Sequence, residues 1–155
     1  MTSRTFYTAE INRIAGLHKL DPDLVEAVVI QESSGDPHAR RLEPAFWKRY
    51  MQGKPEWKDA DEKRWSASLG LMQIMPTTAM EHGFPQTDGP EWLFRPEINL
   101  EYGCRILKAL LTWSGGKTAV ALAAYNGGKG GIDKTAPKRY AASVLKKRAE
   151  LKGLV

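Results

Sequence analysis

Residues 21–36 read DPDLVEAVVIQESSGD, and this stretch predicts a short apolar helix that carries the carboxyl group of Glu32 near its end. Asp21 can cap the first backbone N–H groups, and Pro22 fits the first helical position, where no donor is needed. Apolar side chains fall on two adjacent faces, which predicts a mostly enclosed helix. Gly35 and the proline after it favour termination, so Glu32 lies in the last turn.

The position of Glu32 favours a protonated carboxyl group. The C-terminus of a helix carries unpaired carbonyl groups and a partial negative charge, which destabilises a second negative charge. Burial among apolar side chains also disfavours the ionised form, so both effects raise the pKa. A carboxyl group that stays protonated near neutral pH can act as a general acid. The helix alone equally allows a plain surface glutamate, because glutamate is rarely buried.

Length and composition predict one domain spanning residues 1–155. A hydrophobic content of 42% and a charged content of 26% are typical of a globular protein. No apolar run has the length of a membrane span, so stable membrane insertion is not expected. The first residues lack the apolar segment of a secretory signal, so we expect synthesis in the cytoplasm and another route to any outer compartment.

Cysteine content and net charge limit the chemistry further. Cys104 is the single cysteine, which excludes an internal disulfide and a cysteine-based zinc site, and its apolar helical pattern is typical of a core residue. The net charge of +5 favours a polyanionic partner, either nucleic acid, an anionic membrane surface or an anionic cell-wall polymer. Composition does not distinguish these partners.

Helical spacing of apolar residues predicts a mainly α fold, and no stretch shows a convincing strand alternation. Besides the Glu32 helix, we predict a short helix from Pro76 and longer ones at residues 8–20, 99–113, 118–124 and 137–151. Thr8 is the candidate cap of the first helix, and His18 near its end is interpreted as a surface or capping residue. The last helix has an outward basic face, either solvated or in contact with anionic wall or membrane material, formed by Lys146, Lys147, Arg148 and Lys152.

Residues 40–65 differ in character from the helical segments. They mix eight basic residues with five aromatic ones and are interrupted by proline and glycine. This composition predicts short helical pieces and loops at the surface. Aromatic faces beside cationic side chains suit stacking on nucleobases or packing against sugar rings. The alternative is that the rings only attach an irregular insertion to the core.

Two later stretches contain candidate ligand contacts. Within the apolar cluster at residues 71–75, Gln73 is the one polar side chain, so it either forms structural hydrogen bonds or points into a pocket. Gly70, just before it, permits a close backbone approach. The glycines that follow Tyr125 and Asn126 also let the backbone approach a ligand, although they match no phosphate-binding loop.

Three stretches occur in an order that is more specific than any one of them, namely IQESSGDP at residues 30–37, GLMQIMPTTA at residues 70–79 and ALAAYNGG at residues 121–128. A fourth, LFRPEINLEYGCRIL, occupies residues 93–107. Together they resemble the catalytic domain of soluble lytic transglycosylases, and that family is similar in fold to goose-type lysozyme. The resemblance implies a lysozyme-like helical domain with an irregular insertion between the Glu32 helix and the GLMQ motif.

The resemblance also implies a reaction, the cleavage of the β-1,4 bond between N-acetylmuramic acid and N-acetylglucosamine in peptidoglycan. The glutamate matching Glu32 protonates the glycosidic oxygen and then takes the proton of the muramic C6 hydroxyl, which attacks the anomeric carbon. The product has a 1,6-anhydro end, and no water is consumed. Such acid catalysis needs no metal or cofactor, so none is expected.

Carried over by position, the resemblance assigns candidate roles to further residues. Met72 and Gln73 match the pocket wall beside the acid, Tyr125 matches a ring near its carboxyl group, and Asn126 matches a nearby polar contact. Ser68 and Gly70, which lie next to the GLMQ motif or within it, are added to these four. The candidate substrate contacts are therefore Gln73, Met72, Tyr125, Asn126, Ser68 and Gly70.

The sequence departs from the family pattern in the insertion. Arg41 stands where the family has a serine thought to orient the glutamate, and Ser66 or Ser68 is the candidate replacement. The insertion also adds carboxyl groups, of which Glu43 is the candidate second carboxylate. It either activates water, which would make the enzyme an inverting hydrolase, or forms a surface salt bridge.

The leading hypothesis is a monomeric lytic transglycosylase that acts on peptidoglycan glycan strands and not on nucleic acid. A muramidase that uses water is the alternative enzyme, and a non-catalytic wall- or polyanion-binding module is the alternative from another class. A small basic wall-cleaving domain without an export signal resembles a bacteriophage endolysin or a virion-carried lysin. We therefore expect release through a membrane pore or delivery by a particle, with specialised secretion as the other route.

Overall fold

The computed structural model describes residues 1–155 and has a mainly helical fold, as predicted. The helices are α1 (Thr8–Leu17), α2 (Pro22–Ser33), α3 (Pro44–Phe46), α4 (Glu62–Trp65), α5 (Pro76–Glu81), α6 (Pro96–Trp113), α7 (Thr118–Gly127) and α8 (Thr135–Leu151). The sequence shows no convincing strand pattern, yet β1 (Arg40–Leu42) and β2 (Ala67–Leu69) pair as a short antiparallel ribbon. Strands of three residues are too short for an alternating pattern to be visible in the sequence.

Helix α2 lies at the centre of the fold, where it packs against α1 and α8 while α6 and α7 complete the core. Residues 24–29 are all buried, so the prediction of a mostly enclosed helix is confirmed. The Asp21 side chain accepts a hydrogen bond of 3.0 Å from the backbone N–H of Asp23, as expected for a cap. At the other end Ser34, and not Gly35, is the C-terminal cap, with a left-handed φ of 54°.

Residues 40–65 form β1, α3, a π-helical turn at Trp47–Met51, a 3-10 turn at Pro55–Trp57 and α4. The prediction of short helical pieces and loops is therefore confirmed. Met51 is buried and anchors the segment to the protein. Trp57 packs on the buried Trp65, with ring centroids 5.5 Å apart. Phe46 is partly exposed and Tyr50 is exposed. The insertion is therefore attached to the domain and also presents aromatic side chains at the surface.

The segment between β2 and α5 is fixed by Asn99, a fully buried residue of α6. Its amide oxygen accepts a 2.8 Å hydrogen bond from the N–H of Met72, and its amide nitrogen donates 2.8 Å bonds to the carbonyls of Leu69 and Leu93. Gly70 has a φ of 76°, and a Cβ at this position would collide with Asn99. The close approach of this turn to α6 therefore requires glycine.

Several helix ends differ from the predictions. Helix α6 begins at Pro96 and not at residue 99, because proline occupies the first helical position. Thr8 is not a cap, since its hydroxyl donates a 2.6 Å hydrogen bond to Glu26. His18 does lie at the end of α1, where Nε2 is 2.9 Å from the carboxylate of Glu101.

The basic side chains of α8 are only partly solvated. Lys147 donates a 2.8 Å hydrogen bond to the amide oxygen of Gln31, and Lys152, just past the helix, lies 3.1 Å from both Asp21 and Asp23. These contacts attach α8 to α2, so the basic face is smaller than the sequence indicated.

Cys104 is a buried core residue, as predicted. Burial, with a smaller effect from the charge of Glu101, raises the pKa of its thiol to about 12. No helix of the fold combines the length and the apolar character that crossing a bilayer requires.

Candidate active site

The last turn of α2 is held in place by the side chain of Ser33. The Ser33 hydroxyl lies within hydrogen-bonding distance of the carbonyl oxygens of Leu71 and Val29, at 2.8 and 3.1 Å. This contact joins the end of α2 to the turn between β2 and α5. It leaves Glu32, the preceding residue, at the wall of an open cleft.

Glu32 is a mostly buried acid with one hydrogen bond. The phenol of Tyr140, on α8, donates a 2.7 Å bond to its Oε2 atom. Burial is the main cause that raises the pKa of Glu32, and the charge of Glu43 acts in the same direction. The Tyr140 hydrogen bond and the charge of Arg41 act against it, yet the pKa stays above its ordinary value. The place of Glu32 therefore suits a general acid, while its catalytic role stays a prediction.

Tyr125 lies in the same cleft as Glu32, as the resemblance suggested, but the hydrogen bond to the carboxyl group comes from another tyrosine. Tyr125 donates a 2.6 Å bond to the carbonyl of Met72, whereas Tyr140 bonds Glu32. The two rings are stacked, with centroids 6.5 Å apart and 10° between their planes. Tyr140 was not among the candidate site residues. A phenol on the inward face of an apolar helix usually needs a hydrogen-bond partner, and that signal could have identified it.

The cleft has a volume of about 540 Å³ and is lined by both polar and apolar side chains. Its walls come from the end of α2, the β ribbon, α3, α5, α6 and the glycine-rich end of α7. The residues with charged or aromatic side chains at its surface are Glu32, Arg41, Glu43, Phe46, Tyr50, Glu81, His82, Tyr125 and Lys129. A cleft of this size and mixed lining is suited to a sugar-sized ligand.

The cleft includes four of the six candidate substrate contacts and excludes two. Gln73, Tyr125, Asn126 and Ser68 line it. Met72 is fully buried and packs against Gly103, so its side chain cannot reach a ligand in the cleft. Gly70 is also buried, because it packs against Asn99 of α6. Neither Met72 nor Gly70 therefore lines the cleft, contrary to the expectation that they contact the substrate.

Gln73 combines the two roles that the sequence left open. Its side-chain nitrogen donates 3.0 Å bonds to the carbonyls of Ala39 and Gly70, and its φ is 52°. The amide therefore ties the start of the ribbon to the turn before α5. At the same time the residue forms part of the cleft surface.

Neither candidate serine bonds Glu32. Ser68 donates a 3.0 Å hydrogen bond to Oε1 of Glu43, and Ser66 donates a 2.7 Å bond to the backbone carbonyl of Glu43. Arg41 pairs with the same Oε1 atom at 2.9 Å. The serines therefore position Glu43, and the expectation that one of them replaces the orienting serine is wrong.

A second glutamate of α2 was missed by sequence reasoning. Glu26 is fully buried, and its carboxylate accepts hydrogen bonds of 2.6 to 3.0 Å from Arg4, Thr5 and Thr8. Burial alone raises its pKa, but these hydrogen bonds outweigh burial and hold the pKa below the ordinary value. Glu26 therefore stays ionised and attaches the N-terminal segment to α2. No local sequence pattern indicates this role, because the partners of Glu26 precede α2 and only the fold brings them close.

A helical domain with a short β ribbon and a mostly buried carboxyl group at the wall of a cleft agrees with the lysozyme-like fold that the resemblance predicted. The model of the family described as "Transglycosylase SLT domain" matches residues 10–147. The chain therefore belongs to the SLT transglycosylase domain family.

Solved structures of lytic transglycosylases have the same fold. An inactive mutant of lytic transglycosylase Slt from Pseudomonas aeruginosa is 22% identical, with a TM-score of 0.71 over 96% of this chain and 25% of that chain. The 70 kDa soluble lytic transglycosylase of Escherichia coli is 22% identical, with a TM-score of 0.72 over 95% and 24%. A complex of the 70 kDa soluble lytic transglycosylase with bulgecin A is 21% identical, with a TM-score of 0.73 over 96% and 24%. This chain spans about a quarter of the length of these proteins.

Proposed function

We propose that this protein is a peptidoglycan lytic transglycosylase, which cleaves the β-1,4 bond between N-acetylmuramic acid and N-acetylglucosamine. The observation that carries the proposal is Glu32, a mostly buried carboxyl group at the wall of the cleft with a raised pKa. Membership of the SLT domain family supports the same reaction.

In the proposed reaction Glu32 first donates its proton to the glycosidic oxygen. The bond to the anomeric carbon of the muramic residue breaks, and the leaving sugar keeps the proton as its 4-hydroxyl group. Positive charge then builds on the muramic ring, and its C6 hydroxyl attacks the anomeric carbon. The ionised Glu32 takes the hydroxyl proton, which restores the acid and gives a 1,6-anhydro end. Tyr140 supports both steps, because its hydrogen bond orients the carboxyl group and stabilises its ionised form.

The substrate contacts are proposed from the cleft lining. Asn126 is exposed there and can hydrogen-bond an acetamido group with both its oxygen and its nitrogen. Gln73 uses its nitrogen within the protein, which leaves its oxygen for an acetamido N–H. Tyr125 contributes the face of its ring. Bulgecin A, the compound in the complex of the 70 kDa relative, is a suitable probe for binding in this cleft.

The test is digestion of purified peptidoglycan followed by mass spectrometry of the products. Wild-type protein should release anhydro-muropeptides, lighter by one water than the hydrolysis products, and Glu32→Gln should release none. Lysis by a folded Glu32→Gln variant would refute the site assignment. Tight, salt-dependent binding without any turnover would instead support the non-catalytic binding module.

A muramidase is the second candidate function, and Glu43 is the observation that favours it. This carboxylate shares the cleft with Glu32, as the second acid of an inverting hydrolase must. Reducing ends in the wild-type digest would select the hydrolase. The delivery route, through a phage pore, a virion or a secretion machine, stays a prediction.

A further inference from the structure

Glu43 is held in the cleft by its backbone as well as its side chain. It follows β1 directly, and its N–H donates a 2.9 Å bond to the carbonyl of Ser66, whose hydroxyl donates back to the Glu43 carbonyl at 2.7 Å. This reciprocal pair extends the ribbon by one position. The residue is therefore placed as firmly as the strand before it, unlike a glutamate on a mobile loop.

One oxygen of the Glu43 carboxylate is engaged and the other has no protein partner. Oε1 accepts from Arg41 at 2.9 Å and from Ser68 at 3.0 Å, and Ser68 is 5% exposed. The Glu43 side chain is 26% exposed at the cleft surface, while Arg41 is 70% exposed. The Arg41 guanidinium lies mostly in water, which screens its charge, so its main effect is to fix the position of Oε1. The carboxylate is thus oriented and retains an oxygen that can face a ligand.

The charge of Glu43 also acts on Glu32, which lines the same cleft. Burial is the largest cause of the raised pKa of Glu32, and the negative charge of Glu43 raises that pKa further. Both carboxyl groups line one cleft, so the charge of Glu43 faces the space in which the reacting bond must lie beside Glu32. A positive charge forming in the same space would interact with Glu43 favourably.

We propose that Glu43 is a second catalytic carboxylate, whose Oε2 atom stabilises the positive charge that builds at the anomeric carbon when the glycosidic bond breaks. The proposal rests on the proposed function. Glu43 forms no bond and moves no proton in this role. The proton that leaves Glu32 stays on the departing sugar, and the proton of the C6 hydroxyl returns to Glu32. Arg41 and Ser68 are positioning residues, because they fix the Oε1 atom.

Glu43→Gln tests the proposal, since the amide keeps the shape and can still accept the Ser68 hydrogen bond. Removal of an oriented charge from the transition state should lower kcat by about 100-fold and leave KM nearly unchanged. The alkaline limb of the activity profile should also move to lower pH, because one cause of the raised Glu32 pKa is lost. Ser68→Ala keeps the charge but loosens its position, so a smaller fall in kcat is expected.

Glu91→Gln is the matched control, because Glu91 also pairs with an arginine, Arg64, but lies outside the cleft. This variant should keep wild-type kcat. Melting temperatures of all variants separate lost chemistry from lost folding. Should Glu43→Gln fail to fold, Ser68→Ala carries the test alone.

Wild-type kcat in a folded Glu43→Gln or Ser68→Ala variant would overturn the role of Glu43. Glu32→Gln would still be inactive in that case, so the proposed function would stand. Reducing ends from the wild-type protein would overturn both, because Glu43 would then serve water activation and not charge stabilisation.

Discussion

Glu26 and Glu32 lie on one helix, and the pKa of the first is lowered while that of the second is raised. Both carboxyl groups are withdrawn from water, so burial pushes both pKa values upward. Glu26 accepts four hydrogen bonds, one of them from the guanidinium of Arg4, whereas Glu32 accepts one from Tyr140. The four donors therefore hold Glu26 in its ionised form, whereas Glu32, with one donor, is available as an acid.

Glu32→Gln should make the folded protein more stable at neutral pH. The folded pKa of Glu32 is raised, so the unfolded chain loses this proton more readily, and stability falls as the pH rises above the unfolded value of about 4.3. Glutamine removes that cost. Urea unfolding at pH 7 and pH 3.5 should show the stabilisation only at the higher pH. Equal stabilisation at both values would contradict this explanation.

Glu26→Gln should have the opposite effect. The folded pKa of Glu26 is lowered, so its contribution is present above the unfolded value and is lost as the pH falls through the folded value. Loss of the charge leaves the N–H of Thr5 and the Arg4 guanidinium with a poorer acceptor. We expect destabilisation by about 3 kcal/mol at pH 7, measured by urea unfolding, and a smaller difference in acid. Activity per folded molecule should be unchanged.

Tyr140→Phe should lower activity and shift its pH dependence. The lost hydrogen bond to a charged group should reduce kcat by about tenfold. Because this bond lowers the pKa of Glu32, its removal raises that pKa and moves the alkaline limb to higher pH. Tyr125→Phe is the control, since its hydroxyl bonds Met72 and not the acid. An alkaline limb that moves equally in both variants would argue against a specific role of Tyr140.

At the scale of elements, residues 40–65 add an aromatic wall to the cleft. Phe46 and Tyr50 both line it, their ring centroids are 4.8 Å apart, and Tyr50 is 52% exposed. The anchoring rings of the insertion, Trp57 and Trp65, lie elsewhere and pack on each other. Trp57 and Trp65 therefore attach the insertion to the core, whereas Phe46 and Tyr50 are available to pack against a sugar ring.

Tyr50→Ala and Phe46→Ala should raise KM for glycan strands several-fold, because stacking on a sugar ring is lost, and should change kcat less. Trp92→Ala is the control, since Trp92 is 40% exposed, has Arg95 above its ring and lies outside the cleft. Steady-state kinetics on soluble glycan fragments separate the two constants. An unchanged KM in both cleft variants would exclude a binding role for the wall.

The helices were predictable from the sequence because their signals are local. Asp21, Pro22 and the apolar faces of α2 specify that helix without any knowledge of the remaining fold. The β ribbon was not predictable, because its three-residue strands pair across residues 43–66. For the same reason the hydrogen-bond donor to Glu32 was not predictable, since Tyr125 and Tyr140 are both inward phenols and only the packing of α8 on α2 selects the second.

For the whole molecule, the site depends on three contacts that bring distant segments together. Tyr140 joins α8 to Glu32, Ser33 joins α2 to the turn before α5, and Asn99 joins that turn to α6. Each contact involves a polar side chain with a partner far away in sequence. The apolar core alone would allow these elements to slide, so the polar contacts set the geometry of the cleft.

Asn99→Ala should therefore affect both stability and activity. It leaves the N–H of Met72 and the carbonyl of Leu93 without partners in a buried region, at about 1 to 3 kcal/mol for each group. It also removes one of the two hydrogen bonds to the carbonyl of Leu69, which keeps the bond from the N–H of Ile74. We expect destabilisation of about 4 kcal/mol in urea unfolding, a large part of the stability of an ordinary domain. Asn126→Ala is the matched control, because this exposed asparagine lines the cleft and should reduce substrate binding with no loss of stability. Equal stability of the two variants would show that the turn before α5 is held by packing and not by Asn99.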